Sequence, residues 1–168
     1  SERKAAFQTF LFPDSAVVVS DERAINFKNI VYEPSQLYEG SFLFKKHYFG
    51  PKPGELSEKR SDGKLMEEFK CAQFIDGMPE VRFWARNLPK RKTSFRLQTS
   101  KDWFYPDFIC QLTDGRTIAI EYKGEHLYAD AEEKRAVGQV WSSRSGGRCL
   151  FVMPTEEDFS SISRAAKT

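Results

Sequence analysis

The period of apolar and polar positions changes several times along the chain, and each change marks an element. In the first fifty residues, Ala6–Phe12, Ala16–Ser20 and Ile25–Tyr32 are short aromatic or β-branched runs separated by Pro13-Asp14 and by the charged Asp21–Arg23. Runs of this kind predict strands. Phe42-Leu43-Phe44 adds an apolar patch, and Gly50–Lys64, with Pro51, Pro53, Gly54, Gly63 and many charges, reads as a loop or subdomain boundary. From Lys64 to Asp76 the spacing becomes three and four: Leu65, Met66, Phe69, Ala72, Gln73 and Asp76 share one side, and Gly77 lies just past them. That pattern predicts a helix. Glu68 lies between Leu65 and Ala72 at the same spacing, so it is placed near the inward edge, an unusual position for a carboxylate.

Beyond the helix the period falls to two. Val81, Phe83 and Ala85 alternate with Arg82, Trp84 and Arg86, which predicts a strand. Asn87–Thr93 reads as a basic turn, and Ser94–Leu97, Trp103–Leu112 and Thr117–Tyr122 as further strands. Asp114-Gly115 between the last two is a strong hairpin signal. Ala129–Arg144, with Val137, Val140, Trp141 and Arg144 on one side, predicts a second long helix ended by Gly146-Gly147. Cys149–Met153 is a short buried strand. Thr155–Lys167 reads as a terminal helix with Thr155 as cap and Asp158 at the capping-box position. The order helix, antiparallel strands, helix, strand predicts an α/β fold with a central mixed β-sheet flanked by helices.

Composition narrows the chemistry. The 168 residues contain three cysteines, far apart and each among apolar neighbours, and no CxxC pair. Buried free thiols fit a reducing compartment, so a cytoplasmic protein is expected. No apolar run approaches the ~18 residues of a membrane-spanning helix, and no secretory leader is apparent. With two histidines, His47 and His126, a His/Cys zinc site or a Ser-His-Asp triad is disfavoured. Carboxylates and lysines are left to carry any catalysis. The net charge of +2 is also uneven. Arg82, Arg86, Lys90, Arg91, Lys92, Arg96 and Lys101 stand in one stretch without an acidic residue, which makes it +7 and leaves −5 for the rest. Arg82, Trp84 and Arg86 share a strand face that could follow a phosphate backbone, so these seven are candidate DNA contacts.

Two segments stand out: Tyr105-Pro106-Asp107-Phe108 and Glu121-Tyr122-Lys123. Asp107 is seven residues before Asp114, and Glu121 is six after Gly115. An antiparallel hairpin therefore brings the two carboxylates together at its open end. The strand period of two places Glu121 and Lys123 on one face. Adjacent carboxylates repel unless a cation lies between them. A hard cation such as Mg²⁺ takes one or two carboxylates together with waters and substrate phosphate, and a nearby lysine can stabilise developing charge. The set suits phosphodiester hydrolysis, and Glu68 could join it.

Pro106-Asp107, thirteen residues and Glu121-Tyr122-Lys123 resemble the PD-(D/E)xK nuclease core. Lys45–Tyr48, Glu68–Ala72, Ile75-Asp76, Trp84–Leu88, Ser94-Phe95, Phe104–Phe108, Asp114–Arg116, Glu121–Gly124 and Ser145–Gly147 are, more specifically, similar to the C-terminal endonuclease domain of the type III restriction enzyme Res subunit. The resemblance covers about Phe44 to Met153. It implies a restriction-endonuclease-like core over residues 64–168; residues 1–50, whose first forty are not clearly part of the resemblance, read from their own pattern as a β-rich N-terminal extension or connector. It implies a Mg²⁺-dependent endonuclease (Mn²⁺ a possible substitute) acting on double-stranded DNA. Its catalytic residues would be Asp107, Glu121, Lys123 and Glu68, with Asp107, Glu121 and the Tyr122 carbonyl as metal ligands. Glu67 is an alternative to Glu68 but less inward. Gln139 stands where some relatives carry a helix glutamine, although Ser143 replaces the aromatic four residues on. The ten glycines form no G-x-x-x-x-G-K-[ST] loop, so the resemblance implies a helicase motor, and a methyltransferase or specificity subunit, as partners outside this sequence. A catalytically silent DNA-binding or assembly module and a PD-(D/E)xK repair nuclease are the other readings. His126 follows Lys123 closely and reads as a loop histidine.

Overall fold

The computed structural model describes residues 24–123 and 128–168. Within these it is α/β, with a mixed four-stranded sheet and three helices. Helix α1 is Glu67–Gly77, α2 is Tyr128–Arg144 and α3 is Ser160–Lys167. The sheet has the order β1 (Val81–Arg86), β4 (Phe108–Leu112), β5 (Thr117–Ile120), β6 (Cys149–Val152); β2 (Leu97–Gln98) and β3 (Trp103–Phe104) pair separately. Neighbours β1/β4 and β4/β5 are antiparallel, and β5/β6 is parallel. No helix among the described residues is long and apolar enough to cross a membrane.

The β4–β5 hairpin closes as its turn residues require. Gly115 adopts φ +94°, open to glycine and strained for other residues. Asp114 receives the Arg116 amide and guanidinium on its two oxygens. All four residues of β5 are buried, as a central strand covered on both faces must be. One layer of core, built from Phe69, Ile75, Trp84, Phe108, Ile118 and Ile162, lies under α1 and α3. The other, with Ile109, Ala119, Val137, Trp141 and Phe151, lies under α2. Helix α2 sits tight on β6: a Cβ on Gly138 would stand 2.3 Å from the Phe151 ring.

Several elements differ from the sequence expectation. The strands expected over Ala6–Phe12 and Ala16–Ser20 lie outside the described residues. Ile25–Tyr32 is not a strand. The Asn26 side chain accepts the Lys28 amide and starts a 3-10 turn at Phe27–Asn29, whose Phe27 buries against Phe83. A local side-chain bond of this kind competes with strand pairing. Residues 24–66 contribute Tyr38, Phe44 and Leu56 to the layer under α1 rather than a core of their own. Trp103–Leu112 is broken into β3 and β4 because Pro106 has no amide to donate. Strand Ser94–Leu97 shifts to Leu97–Gln98. The Thr155 capping box is not formed: Glu156 and Glu157 take φ of 51° and 60°, outside the helical region, and α3 starts only at Ser160. Asp158 instead accepts the Ser160 hydroxyl and pairs with Arg164.

Candidate functional site

The register of the hairpin places the site. Phe108 pairs with Ile120, and one step further along the two chains stand Asp107 and Glu121. The backbone around Asp107 is fixed by a buried asparagine. Asn87 donates through Nδ2 to the carbonyls of Phe95 and Pro106, both at 2.8 Å, and accepts the Phe95 amide. Its own amide donates to the Asp107 carbonyl at 2.9 Å. Beyond β5 the chain stays alongside β6: Glu121 N donates to Val152 O and Lys123 N to Pro154 O, each at 3.1 Å. The Tyr122 amide donates to Asp107 Oδ2 at 2.8 Å, which ties the two motif segments together.

Three carboxylates and an arginine meet here. Glu68, in the first turn of α1, lies 2.9 Å from Arg86 Nη2, and Asp107 Oδ1 lies 3.4 Å from Arg86 Nη1. Glu121 Oε2 is buried without a hydrogen-bond partner. Burial, then the negative charge of Asp107, raises the Glu121 carboxyl far above the ordinary carboxylate range, although Lys134 of α2 works against this. The same two causes raise Glu68, with Arg86 opposing. A shallow cavity of about 100 Å³ opens beside Glu121, Lys123, Asp130, Lys134 and Met153. Among the described residues no three His, Cys, Asp or Glu side chains stand as a ready-made metal cage; the Arg86 guanidinium contacts two of the three carboxylates.

The sequence-derived residues fall in different places. Asp107, Glu121 and Glu68 are brought together, and Lys123 follows on the same chain segment. Glu67 points elsewhere and accepts the Tyr122 hydroxyl. That hydroxyl is raised by burial and by Glu67, and it also accepts the Glu157 amide. His126 lies outside the described residues. Gln139 is exposed on α2.

The strand face Arg82–Trp84–Arg86 is not an open phosphate track. A register shift between Val81 and Phe83 turns Arg82 outward. Trp84 is fully buried, with Nε1 donating to Asp76, and Arg86 points into the carboxylates. Arg91 is engaged by Glu55 at 2.6 Å, and Arg96 stacks on Trp103. Arg82, Lys90, Lys92 and Lys101 are exposed.

Asp76, which the sequence pattern placed on the inward side of its helix, and His47, within the similar segment Lys45–Tyr48, support the site through hydrogen bonds. Asp76 is buried at the end of α1 and accepts the amides of Lys45 and Lys46 and the Trp84 indole. A carboxylate in the last turn of a helix opposes the macrodipole, and that mismatch was the available signal. His47 is buried, accepts the Arg86 amide on Nε2 and therefore donates from Nδ1 to the Gly50 carbonyl. Burial lowers its pKa to about 4, so it is neutral. No family model matches the chain, and no curated protein or solved structure matches it significantly.

Proposed function

We propose that the protein is a Mg²⁺-dependent DNA endonuclease with a restriction-endonuclease-like core, the cleavage domain of a type III restriction system. The observation that carries this reading is Glu121 Oε2, a carboxylate oxygen buried without a partner beside two further carboxylates. A buried carboxylate ionises in an interior only where something pairs with its charge, and the donor set is all oxygen, which suits a hard divalent cation. Asp107, Glu121 and the Tyr122 carbonyl would hold Mg²⁺ or Mn²⁺, with Glu68 close by. Such an ion supplies charge stabilisation on a phosphoryl oxygen and lowers the pKa of water.

The chain's own residues do the rest. Asn87 and the Tyr122 amide hold Asp107 in place. Burial keeps Glu121 in a water-poor setting where electrostatic interactions are stronger. Lys123, two residues past Glu121, faces the same side and would support the negative charge that grows on the phosphate. The exposed Arg82, Lys90, Lys92 and Lys101 offer sequence-independent contacts to the backbone of duplex DNA. Choice of sequence and ATP-driven movement would belong to partner subunits.

Nicking of supercoiled plasmid in Mg²⁺ or Mn²⁺ tests the proposal. Wild type is expected to convert it to open circles and linear DNA, and Asp107→Ala to leave it intact. Equal cleavage by a folded Asp107→Ala protein would refute the assignment. A second reading, a silent DNA-binding module, is favoured by one observation: Arg86 already compensates Glu68 and Asp107. Mn²⁺ binding that disappears in Asp107→Asn and Glu121→Gln supports the nuclease; its absence in wild type supports the module.

A further inference from the structure

Arg86 ends β1 opposite Phe108, one residue from the carboxylate cluster on the neighbouring strand. Its side chain is 11% exposed. Nη2 contacts Glu68 at 2.9 Å. Nη1 donates to the Asp107 carbonyl at 2.8 Å and reaches Asn87 O at 3.3 Å and Asp107 Oδ1 at 3.4 Å. The guanidinium lies 5.6 Å from the Phe108 ring centroid, and its Nε–H is buried without a partner. An arginine on this chain's basic stretch would ordinarily reach for solvent or phosphate. This one instead spans two carboxylates from different elements, α1 and the loop before β4, that would otherwise be adjacent like charges.

Both oxygens of Asp107 are thereby engaged, Oδ2 by the Tyr122 amide and Oδ1 by the guanidinium. The contact to Oδ1 is the longest that Arg86 makes here, and the one it can give up while Nη1 stays on the Asp107 carbonyl. Resting on the nuclease reading above, we infer that Arg86 is a resident counter-ion of the carboxylate cluster, which competes with the divalent cation and must yield Asp107 Oδ1 when that cation binds. Arg86 is thus a positioning residue that sets how tightly the site takes metal. Its positive charge keeps metal affinity low.

Mn²⁺ binding isotherms on wild type, Arg86→Gln and Arg86→Lys test this. Removing one positive charge a few ångströms from a divalent ion is expected to tighten binding about tenfold or more. Arg86→Gln should show that increase, and Arg86→Lys should stay near wild type. A merely structural role would weaken binding in Arg86→Gln, which is the opposite sign. Unchanged or weaker binding by folded Arg86→Gln, with wild type binding normally, overturns the role of Arg86 alone. No binding by either protein overturns the metal reading and this inference with it. If Arg86→Gln does not fold, a Mg²⁺ titration of wild type followed through the arginine ¹⁵Nε–H resonances decides. The Arg86 signal, identified by its loss in Arg86→Lys, should shift along the binding curve; a signal that does not move overturns the inference.

Discussion

Replacing Glu121 by glutamine should make the metal-free protein more stable. The carboxyl has an ordinary value of 4.5 and is pushed well above neutrality in the fold, first by burial and then by Asp107. In the unfolded chain it is ionised at pH 7; in the fold it carries a proton. A raised carboxylate value costs nothing below about pH 4.5, and the cost then grows with pH until the folded value is passed. At about 1.4 kcal/mol per pH unit, the cost is under about 1 kcal/mol at pH 5 and about 3 kcal/mol at pH 7. Glutamine has nearly the same shape and no charge to neutralise, so Glu121→Gln should recover much of this. Urea unfolding of both proteins in EDTA at pH 5 and pH 7 measures it. The expected outcome is a small gain at pH 5 and a gain of about 1–3 kcal/mol at pH 7. In saturating Mn²⁺ the order should reverse, because only wild type binds the ion and is stabilised by it. A destabilised Glu121→Gln at pH 7, or a gain independent of pH, would show that burial and Asp107 do not raise the Glu121 carboxyl.

Other residues have sharper structural consequences. Asp76→Ala should cost about 3–5 kcal/mol by leaving the Lys45 and Lys46 amides and the Trp84 indole unpaired, read from the urea midpoint. Asn87→Ala should cost about 1–3 kcal/mol and also slow cleavage beyond what that loss explains, since it frees the Pro106-Asp107 backbone; plasmid nicking under fully folded conditions checks this. His47, held neutral with its pKa near 4 against an ordinary 6.5, should make no pH-dependent contribution above pH 6.5. As pH falls from 6.5 to 4, protonation of the unfolded chain should remove about 3 kcal/mol, and His47→Gln should flatten that part of the stability–pH curve.

Much of the core motif could be read from alternation and turn chemistry. Asp114-Gly115 set the hairpin, and counting outward from it put Asp107 opposite Glu121, one step past the Phe108–Ile120 pair. The burial of β5 accords with its almost continuously apolar sequence, Thr117-Ile118-Ala119-Ile120. What failed was local competition. Asn26 captured an amide and turned a predicted strand into a 3-10 turn. Pro106 split one predicted strand into two. Within the basic stretch, Arg86 departs from the expected outer face for a different reason. Charge density suggests an outer face, but alternation tied Arg86 to Trp84, and a fully buried Trp84 carries Arg86 inward with it. The hub residues Asp76, His47 and Asn87 act through backbone groups distant in sequence, which periodicity does not register.

The proposed site turns on Glu121 Oε2, a buried oxygen without a hydrogen-bond partner that a divalent cation would pair. An anomalous difference map from crystals soaked in Mn²⁺, measured at the manganese edge, examines this directly. The expected result is one strong peak in contact with the carboxylates of Asp107 and Glu121, absent from Asp107→Asn crystals, with the Arg86 guanidinium moved off Asp107 Oδ1. A map with no peak at those carboxylates, or a peak that survives in Asp107→Asn, would contradict the assignment.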